Sequence, residues 1–574
     1  MSIQDYAQEL IVTLKQAKLT KPQLNKLKNN LCKKYKIKKI PTDIELLLHT
    51  EPDDYPTLKH YLQSKPVRSL SGVAPVAIMT RPIACAHGKC TFCPGGPGSY
   101  FGNVPQSYTG HEPSTMRGMR NNYDPYLQVI NRLEQYTVLG HNFDKVELII
   151  MGGTFPSFQK QYQEDFVTYA LKAMNDFSEL FFINDASDAL TFDVLKFREY
   201  FELPGNINNI ERTARVQHKF ITLKNNVLTT LEREQRRNET TKARCVAMVI
   251  ETKPDWCKEP HLNEMLRLGA TRIEVGVQHL DNDILQKTNR GHTVQDAIEC
   301  TQLMKDSFFK TTYHVMLGLP GSTPQRDCGV IKELFSNPDF KPDSLKIYPC
   351  MVSPGTQLYD DWKKGSFVPM TTAEAARIIA QGKKYIPRYC RIMRVQRDIP
   401  PKWMAAGVDR SNLRQYVDQE LKKFGIVCQC IRCREPKEKT IDFSNVKILR
   451  ETYAASLGTE VFISAEDTTD NIVLGFCRLR IPYKSFRKEI TPTSAGIREL
   501  HVYGQALPLG QEGAKEESIV QHRGLGKQLL QEAERIAKEE FSRDKLVIIS
   551  GIGVREYYLK LGYERDGPYM SKKL

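Results

Sequence analysis

Three cysteines lie close together in the stretch CAHGKCTFCPGG, which begins at Cys85. Four residues separate Cys85 from Cys90, and two separate Cys90 from Cys93. Three thiolates at this spacing can hold three irons of a 4Fe–4S cluster and leave the fourth iron open, whereas a closed zinc site needs a fourth ligand nearby. His87 could complete such a zinc site, but we interpret it as a loop residue. The triad therefore predicts an iron–sulphur cluster with one open coordination position.

A second group of cysteines occurs in CQCIRCRE, which supplies Cys428, Cys430 and Cys433. Structural zinc prefers four ligands in a tetrahedron, so a fourth must come from elsewhere in the chain. Cys350, in KIYPC, is our candidate, and Cys390 is the alternative. Since nothing beside this group resembles a cofactor pocket, we predict zinc rather than free thiols or a second iron–sulphur cluster.

Two glycine turns have the pattern of ligand-binding loops. Gln521, Gly524 and Gly526 form Q-x-x-G-x-G directly before an amphipathic helix. Backbone N–H groups and the positive end of that helix suit a pyrophosphate. In VELIIMGGTFP, Gly152 and Gly153 end a strand and let a ligand approach the backbone closely. Either pattern taken alone is also found in ordinary turns.

The elements around these motifs predict an α/β protein with several domains. Apolar runs such as VELIIMGG, CVAMVIET, TRIEVGVQ and SLKIYPC read as buried strands that alternate with helical patterns. This order predicts a parallel sheet that closes, or partly closes, into a TIM-like barrel. The predicted divisions are a basic helical region at 1–65, the barrel at 66–370 with an insertion at about 176–240, a linker at 371–440 and an α+β domain at 441–574.

Composition and charge narrow the classes of partner. The 574 residues include 82 Lys plus Arg against 67 Asp plus Glu, a formal charge of +15 that suits a nucleic acid. Many of the N-terminal lysines could equally form a solvated helix face. We find no apolar run of the roughly 18 residues that a membrane span needs and no signal-peptide pattern, so we expect a soluble, cytoplasmic protein without a membrane partner.

The order of the longer motifs resembles a known family. The triad departs from the commonest spacing of radical S-adenosylmethionine (SAM) enzymes, which has three residues between the first two cysteines. It fits the Elongator catalytic subunit family, in which CAHGKCTFCPGG is followed by MGGTF, IETKPDW, RIEVGVQ, TNRGHTV, KIYPC, VQRDIP and RELHVYG in this order. The C-terminal part is similar to GCN5-related N-acetyltransferases. The cysteine-rich linker is closer to the prokaryotic members.

The resemblance implies a site for each cofactor. Cys85, Cys90 and Cys93 would bind the cluster, and SAM would chelate the open iron. The residues expected to hold SAM are Gly152, Gly153, Thr154, Glu251, Glu274 and Gln278. The residues expected to contact acetyl-CoA are Glu499, Leu500, His501 and Val502 in a strand, Gln521, Gly524, Leu525, Gly526 and Lys527 at the turn, and Lys145 at the barrel mouth. Lys145 and Tyr558 would be the catalytic residues, with Tyr558 near the acyl group. One of Tyr557 and Tyr558 could instead only pack the last helix.

The family's reaction modifies the wobble uridine of tRNA. A deoxyadenosyl radical would remove hydrogen from the acetyl methyl group, and the carbon radical would add to uridine C5 to give carboxymethyluridine after thioester hydrolysis. The expected partners are a tRNA anticodon stem-loop and an electron donor, without the other Elongator subunits. The basic N-terminus and Lys65, Arg68, Arg117 and Arg120 would contact phosphates. The alternatives are a protein lysine acetyltransferase with a structural cluster and a non-catalytic RNA-binding scaffold.

Overall fold

The computed structural model describes residues 3–16, 19–64, 72–184, 190–206, 209–437, 439, 441–504 and 524–574. Its N-terminal part is helical, as the sequence predicts. The helices are α1 (Ile3–Gln16), α2 (Lys21–Lys34), α3 (Asp43–Leu48) and α4 (Tyr55–Leu62). They share a small apolar core that includes Tyr6, Leu10, Leu24, Leu46 and Leu58.

Strands and helices then alternate along the chain. The elements up to residue 200 are β1 (Ala74–Met79), β2 (Gly96–Ser99), β3 (Gly102–Val104), α5 (Pro113–Arg120), α6 (Pro125–Val138), β4 (Lys145–Met151), α7 (Lys160–Phe181), β5 (Phe182–Asn184), β6 (Leu190–Phe192) and α8 (Val194–Tyr200). The following elements are α9 (Ile210–Asn225), α10 (Leu231–Thr240), β7 (Arg244–Thr252), α11 (Glu259–Leu268), β8 (Arg272–Gln278), α12 (Asn282–Lys287), α13 (Val294–Asp306), β9 (Lys310–Leu317), α14 (Pro324–Ser336) and β10 (Ser344–Pro349).

A connecting part leads to a second run of strands. It contains α15 (Gln357–Lys363), α16 (Thr372–Gly382), β11 (Arg391–Arg394), α17 (Leu413–Lys423) and α18 (Ile431–Arg434). The final part contains β12 (Val446–Ala455), β13 (Gly458–Asp467), β14 (Ile472–Ile481), β15 (Ser494–Val502), α19 (Leu525–Arg535), β16 (Lys545–Ile548), α20 (Arg555–Leu559), β17 (Glu564–Asp566) and β18 (Tyr569–Lys573).

The first sheet is a partly closed parallel barrel. Its seven strands follow the order β1-β4-β7-β8-β9-β10-β11, and each neighbouring pair is parallel. Among the described residues its edge strands β1 and β11 do not pair with each other, so the barrel is open. Strand β11 lies inside the segment predicted as a linker, and the sheet therefore extends beyond residue 370. Helices cover its outer face, which explains the nearly continuous apolar strands.

The second sheet also has seven strands, in the order β12-β13-β14-β15-β16-β18-β17. All neighbours are antiparallel except β15 and β16. Helix α19 packs its apolar face on this sheet through Leu525, Leu529 and Ala533. The mixed sheet with a covering helix agrees with the predicted α+β class.

A buried ion network joins the two sheets. Arg498 Nη2 lies 2.6 Å from an Asp343 carboxylate oxygen and 2.8 Å from one of Glu460, and Arg480 Nη2 lies 2.6 Å from one of Asp306. Asp343 directly precedes β10 and Asp306 ends α13, so both belong to the barrel. Breaking such a pair leaves an uncompensated buried charge, which costs about 3–5 kcal/mol. The network therefore fixes the second sheet against the amino-terminal ends of the barrel strands.

Candidate active site

The cysteine triad lies in the loop after β1, at the edge where the parallel strands end. Cys90 and Cys93 are buried and Cys85 is half-buried. The three sulphurs are not all within 4.8 Å of one another in the described structure. This spacing suits three thiolates that each bind a different iron, since ligands of one shared ion must lie closer together.

Two buried side chains from other segments donate hydrogen bonds to the triad. Gln106 Nε2 lies 3.0 Å from Cys93 Sγ. Arg290 Nη1 lies 3.2 Å from Cys90 Sγ, and its Nη2 donates to the Gly276 carbonyl at 2.8 Å. Sequence reasoning assigned neither donor. Arg290 lies in TNRGHTV, a motif that supports the family resemblance and could have pointed to this residue.

His87 is part of the surroundings of Cys90. Its Nε2 lies 3.2 Å from Cys90 Sγ. Burial, together with the positive charges of Lys253 and Arg290, lowers the pKa of His87 to about 4, so the ring is neutral at pH 7. A Cβ at Gly291 would lie 2.7 Å from the His87 Cβ, so glycine there lets the TNRGH segment pack against the triad loop.

One cavity joins the triad to the carboxyl ends of the barrel strands. In the described part of the chain Gly152 is not in its lining. A Cβ at Gly152 would lie 2.2 Å from Thr80 Oγ1, so this glycine is needed for packing against the end of β1. The cavity is lined by the triad and by five residues expected to hold SAM, namely Gly153, Thr154, Glu251, Glu274 and Gln278.

The turn after β4 brings backbone close to Cys85. Gly152 and Gly153 have φ values of +123° and +107°, which favour glycine. A Cβ at Gly153 would lie 3.9 Å from Cys85 Sγ, and Thr154 Oγ1 is 3.7 Å from the same sulphur. A ligand beside the triad can thus reach main-chain groups of this turn, as the glycine pair predicts.

Gln278 has two features typical of a ligand-binding residue. Its φ is +67°, which is strained for a residue with a side chain. Its buried Oε1 has no hydrogen-bond partner among the described residues. Buried acceptors are nearly always paired, so an oxygen left unpaired in a cavity wall suits a ligand that brings a donor group. The amino group of SAM is such a donor, and the cavity therefore fits this cofactor.

Charged side chains fill the barrel interior below the triad. Glu274 pairs with the Lys346 ammonium group and accepts from His314 Nε2 at 3.0 Å. Burial alone would raise the pKa of Glu274, but Lys346, His314 and Arg272 outweigh it and hold the pKa well below its usual range. Sequence reasoning missed His314 and Lys346, although they are register partners on β9 and β10.

Glu251 belongs to the same charged group. The Tyr108 hydroxyl donates to its Oε2 at 3.1 Å, and Lys346 Nζ lies 3.8 Å from its Oε1. Ligand atoms of Glu251, Glu274 and His314 lie within 4.8 Å of one another. The Lys346 ammonium already supplies the positive charge between the two carboxylates, so we assign no metal to this group.

The second cysteine group is compact. The sulphurs of Cys428, Cys430 and Cys433 all lie within 4.8 Å of one another, which suits three ligands of one metal ion. The Ile431 amide donates to the Cys390 carbonyl at 2.9 Å, so Cys390 is beside this group. The geometry fits three ligands of the zinc site expected here. Cys390 is the nearer of the two candidates for a fourth ligand, but among the described residues its sulphur does not join the 4.8 Å group.

The assignment of Cys350 to this zinc site is corrected by the structure. Cys350 is fully buried in an apolar cluster with Cys90, Cys93 and Leu358. It directly follows β10, and the carboxyl ends of parallel strands meet at one edge of a sheet, which here is the triad edge. Cys390 precedes β11 and therefore lies at the opposite edge, with the second cysteine group.

Strand β15 has an open side where acetyl-CoA is expected. It pairs with β16 only from Ser494 to Ile497 among the described residues, whereas β14 pairs with it as far as Val502. Of the expected contact residues, Glu499, Leu500, His501 and Val502 all fall in the part without a β16 partner. The backbone of such a strand can pair with an extended amide-containing ligand.

The glycine turn lies next to this open strand. Gly524 is left-handed, with φ +78°, and precedes α19, whose first residues are Leu525, Gly526 and Lys527. A Cβ at Gly526 would lie 3.7 Å from a Val502 methyl carbon, so the start of α19 lies against the open end of β15, and we call the space between them the groove. The N–H groups of the first helical turn suit a phosphate. Gln521 lies outside the described residues.

The two late tyrosines have different positions. Tyr558 is buried in the core under α19, and burial raises its pKa above the usual range. Tyr557 is 41% exposed, and its hydroxyl lies 3.3 Å from the Cβ position of Gly526. Tyr557 is therefore closer than Tyr558 to Gly526, and Tyr558 is packed in the core of this part.

Lys145 and His501 lie near each other at the amino-terminal ends of the barrel strands. Burial lowers the pKa of Lys145, the first residue of β4. Burial also lowers the pKa of His501 to about 3, with Lys310, Arg391 and Lys145 acting in the same direction. His501 Nε2 is buried without a hydrogen-bond partner in the described structure. This orphan nitrogen lies on the strand that is expected to contact acetyl-CoA.

The proposed phosphate-binding residues are only partly described. Lys65 and Arg68 lie outside the described residues. Arg117 Nη1 donates to the Ala77 carbonyl at 2.8 Å, and Arg120 is exposed. Among the helices that the structure describes, none combines the length and apolar character required to cross a membrane.

Family models match most of the chain. The Radical SAM superfamily model matches residues 82–332, the Radical SAM C-terminal domain model matches 342–423, and the ELP3 N-terminal domain model matches 2–70. The chain is therefore a radical SAM protein in the segment that holds the triad and the cavity.

Similar proteins cover nearly the full length. The tRNA uridine(34) acetyltransferase of Methanocaldococcus jannaschii is 48% identical over 93% of this chain and 90% of that protein. Elongator complex protein 3 of Saccharomyces cerevisiae is 39% identical over 99% of this chain and 95% of that protein. A structure of archaeal Methanocaldococcus infernus Elp3 with an N-terminal deletion (1–46) is 42% identical, with a TM-score of 0.70, and covers 88% of this chain and 100% of that chain. The chain belongs to the Elongator complex protein 3 family of radical SAM enzymes.

Proposed function

We propose that this enzyme installs a carboxymethyl group at C5 of the wobble uridine of tRNA, using SAM and acetyl-CoA. The observation that carries the proposal is the single cavity that unites the cysteine triad with the residues expected to hold SAM. The names of the relatives, which specify uridine 34 of tRNA, support the substrate and the position.

The triad cavity is where the hydrogen abstraction would occur. Cys85, Cys90 and Cys93 would hold the 4Fe–4S cluster, whose chemistry with bound SAM is reductive cleavage that yields a strong hydrogen-atom acceptor. Gly153 presents backbone beside the cluster position, and Gln278 offers a buried acceptor to the SAM amino group. The lining residues would limit the access of water to the reacting atoms once SAM and the uridine are bound.

The second sheet would hold acetyl-CoA. The open side of β15 over Glu499–Val502 would pair with the pantetheine arm, and the N–H groups at Leu525, Gly526 and Lys527 would bind the pyrophosphate. Of the two tyrosines, Tyr557 has its hydroxyl nearer to Gly526, beside this groove. Lys145 would contact acetyl-CoA at the amino-terminal end of β4.

In the overall reaction, the hydrogen at uridine C5 would be replaced by a carboxymethyl group. The acetyl methyl group loses one hydrogen atom, and its carbon forms a bond to uridine C5. The C5 proton and one electron would then leave the adduct, which restores the C5–C6 double bond, and the electron would pass to the oxidised cluster that Cys85, Cys90 and Cys93 would hold. Water finally cleaves the thioester, releasing coenzyme A and leaving the carboxymethyl group. An external electron donor is required to start the cycle.

The regions would divide this work among them. Residues 1–65 would bind the anticodon stem-loop, 66–370 would carry the radical chemistry, 371–440 would bind zinc, and 441–574 would bind acetyl-CoA. Zinc at Cys428, Cys430 and Cys433 would be structural, since three protein ligands are already grouped there. We propose a cytoplasmic enzyme that works without the other Elongator subunits.

The test is mass spectrometry of nucleosides after anaerobic reaction of reconstituted protein with tRNA, reductant, SAM and methyl-labelled acetyl-CoA. We expect labelled carboxymethyluridine from the wild type and from Cys328→Ala, a half-buried cysteine on α14 outside the triad, and none from Cys90→Ala. Labelled acetyl-lysine in a peptide without SAM, together with unlabelled tRNA, would instead support the lysine acetyltransferase alternative.

A further inference from the structure

Two segments form the outer wall of the triad cavity. Gln106, Ser107 and Tyr108 line it from the loop after β3, and Arg397, Asp398 and Ile399 line it from the VQRDIP segment, which the chemistry described above does not use. The segments touch, because Arg397 donates to the Ser107 carbonyl and its guanidinium lies 5.8 Å from the centre of the Tyr108 ring.

Near these two segments along the chain, four rings form a continuous series that we call the aromatic row. The ring centroids of Tyr100 and Phe101 are 5.1 Å apart, and those of Phe101 and His111 are 5.9 Å apart. His111 stacks on Trp403 at 3.5 Å with an interplanar angle of 2°. Thus the row runs from the β2–β3 hairpin, which directly follows the triad loop, to the segment after VQRDIP.

Two rings of the aromatic row are exposed, and the basic side chain of Lys402 lies beside it, whereas Arg394 is paired with Asp398. Tyr100 is 68% exposed and Trp403 is 37% exposed, although Trp403 is already stacked on one neighbour. The segment 394–403 contains Arg394, Arg397 and Lys402 against Asp398. Lys402 Nζ lies 5.5 Å from the Trp403 ring centroid. Exposed rings interleaved with basic side chains are the composition that binds single-stranded nucleic acid, since bases stack and cations meet phosphates.

We propose that the aromatic row stacks the nucleobases that flank the uridine entering the cavity. This inference rests on the proposed function and deepens it by naming the surface that receives the anticodon loop. A base that leaves its loop to enter a cavity deprives both neighbours of a stacking partner. The row supplies replacement rings, and His111 and Trp403 follow within four residues the two segments that line the cavity, 106–108 and 397–399.

The test measures affinity of the full-length protein for an anticodon stem-loop RNA by fluorescence anisotropy, without SAM or acetyl-CoA. We expect Trp403→Ala to weaken binding about tenfold and Trp403→Phe to stay within about threefold of the wild type, given the energy of base–aromatic stacking. Tyr100→Ala, at an exposed hairpin tip, is the second variant and is expected to weaken binding as well. The matched control is Tyr483→Ala, because Tyr483 is 62% exposed outside the row.

Two further readouts separate stacking from other roles. The dependence of affinity on salt should be the same for Trp403→Ala and the wild type, because no phosphate contact is lost. Abasic nucleotides beside the target uridine should weaken RNA binding by the wild type. They should weaken RNA binding by Trp403→Ala much less, because that variant has already lost the same stacking interaction.

Unchanged affinity of both Trp403→Ala and Tyr100→Ala would overturn the proposal, as would equal effects of the abasic nucleotides on both proteins. Binding of a lysine peptide to the wild type in preference to the stem-loop would also overturn it. If the wild type shows the stacking signature but forms no modified nucleoside, the aromatic row stands and the proposed chemistry fails.

Discussion

At the scale of single residues, the donors to the cysteine sulphurs govern how easily the cluster would accept an electron. Arg290 gives Cys90 both a hydrogen bond and a positive charge, whereas Gln106 gives Cys93 a neutral hydrogen bond. Both effects stabilise the more negative, reduced state of a cluster. Arg290 should therefore have the larger influence, because it adds a charge in a buried place.

We expect Arg290→Gln to lower the cluster midpoint potential by about 60 mV, which for one electron corresponds to about 1.4 kcal/mol. The measurement is a redox titration followed by electron paramagnetic resonance on the reconstituted protein. Arg326→Gln is the matched control, because Arg326 is 56% exposed and pairs with Asp281 on the surface. A midpoint potential equal to that of the wild type would show that Arg290 does not tune the cluster.

Substitutions in the second cysteine group and at Cys350 should affect zinc binding differently. Cys433→Ser should lose bound zinc, because Cys433 belongs to the compact group of three. Cys350→Ser should keep zinc, because Cys350 is packed beside the triad. Zinc content per protein, measured by inductively coupled plasma mass spectrometry, distinguishes the two. Retention of zinc by Cys433→Ser, or its loss from Cys350→Ser, would contradict this placement.

At the scale of elements, β15 both opens toward the expected acetyl-CoA groove and anchors the second sheet to the barrel. Glu499 pairs with Lys310, the first residue of β9, and accepts from Arg478 Nε at 2.8 Å. Burial alone would raise the pKa of Glu499, but these two cations lower it to about 2. The carboxylate therefore stabilises the fold above its unfolded pKa of about 4.3.

This stabilisation should disappear as the pH falls from about 4.3 to 2. Over that range the unfolded chain binds a proton at Glu499, whereas the folded protein keeps the carboxylate ionised. We expect Glu499→Gln to lower the free energy of unfolding by about 3 kcal/mol at pH 7 and by progressively less below pH 4. Urea unfolding at several pH values measures the difference. In Glu539→Gln, which changes an exposed carboxylate, the difference should be small at every pH. A pH-independent loss in Glu499→Gln would refute the assignment.

Element-scale patterns in the sequence predicted much of the fold. VELIIMGG, RIEVGVQ and SLKIYPC are the strands β4, β8 and β10, as their apolar runs indicate. The sequence did not decide between a closed and a partly closed barrel, because periodicity does not show whether the edge strands pair. Arg290 escaped notice because it is 200 residues from Cys90 along the chain, and Gln106, only 13 residues from Cys93, belongs to no metal-binding pattern in the sequence. Cys350 was misplaced because spacing does not reveal which end of a sheet a residue occupies.

At the scale of the whole molecule, the two candidate centres lie at opposite ends of the first sheet. The triad follows the carboxyl end of β1, whereas Glu499 of β15 meets the amino-terminal end of β9. A strand of this length spans roughly 25 Å. Under the proposed function, the acetyl group would therefore have to pass along or around the charged barrel interior, where Arg272 lies between Glu147 and Glu274. The account thus requires that acetyl-CoA bound at one end supplies hydrogen at the other.

The most direct test of that requirement uses acetyl-CoA with a fully deuterated methyl group in a single turnover with SAM, reductant and tRNA. Mass spectrometry of the 5′-deoxyadenosine formed then shows where its new hydrogen came from. The account predicts one deuterium in 5′-deoxyadenosine, with transfer that depends on tRNA and vanishes in Cys90→Ala. Deoxyadenosine that forms at the same rate but carries no deuterium would show that the acetyl methyl group is not the hydrogen donor, and would contradict the coupling of the two centres.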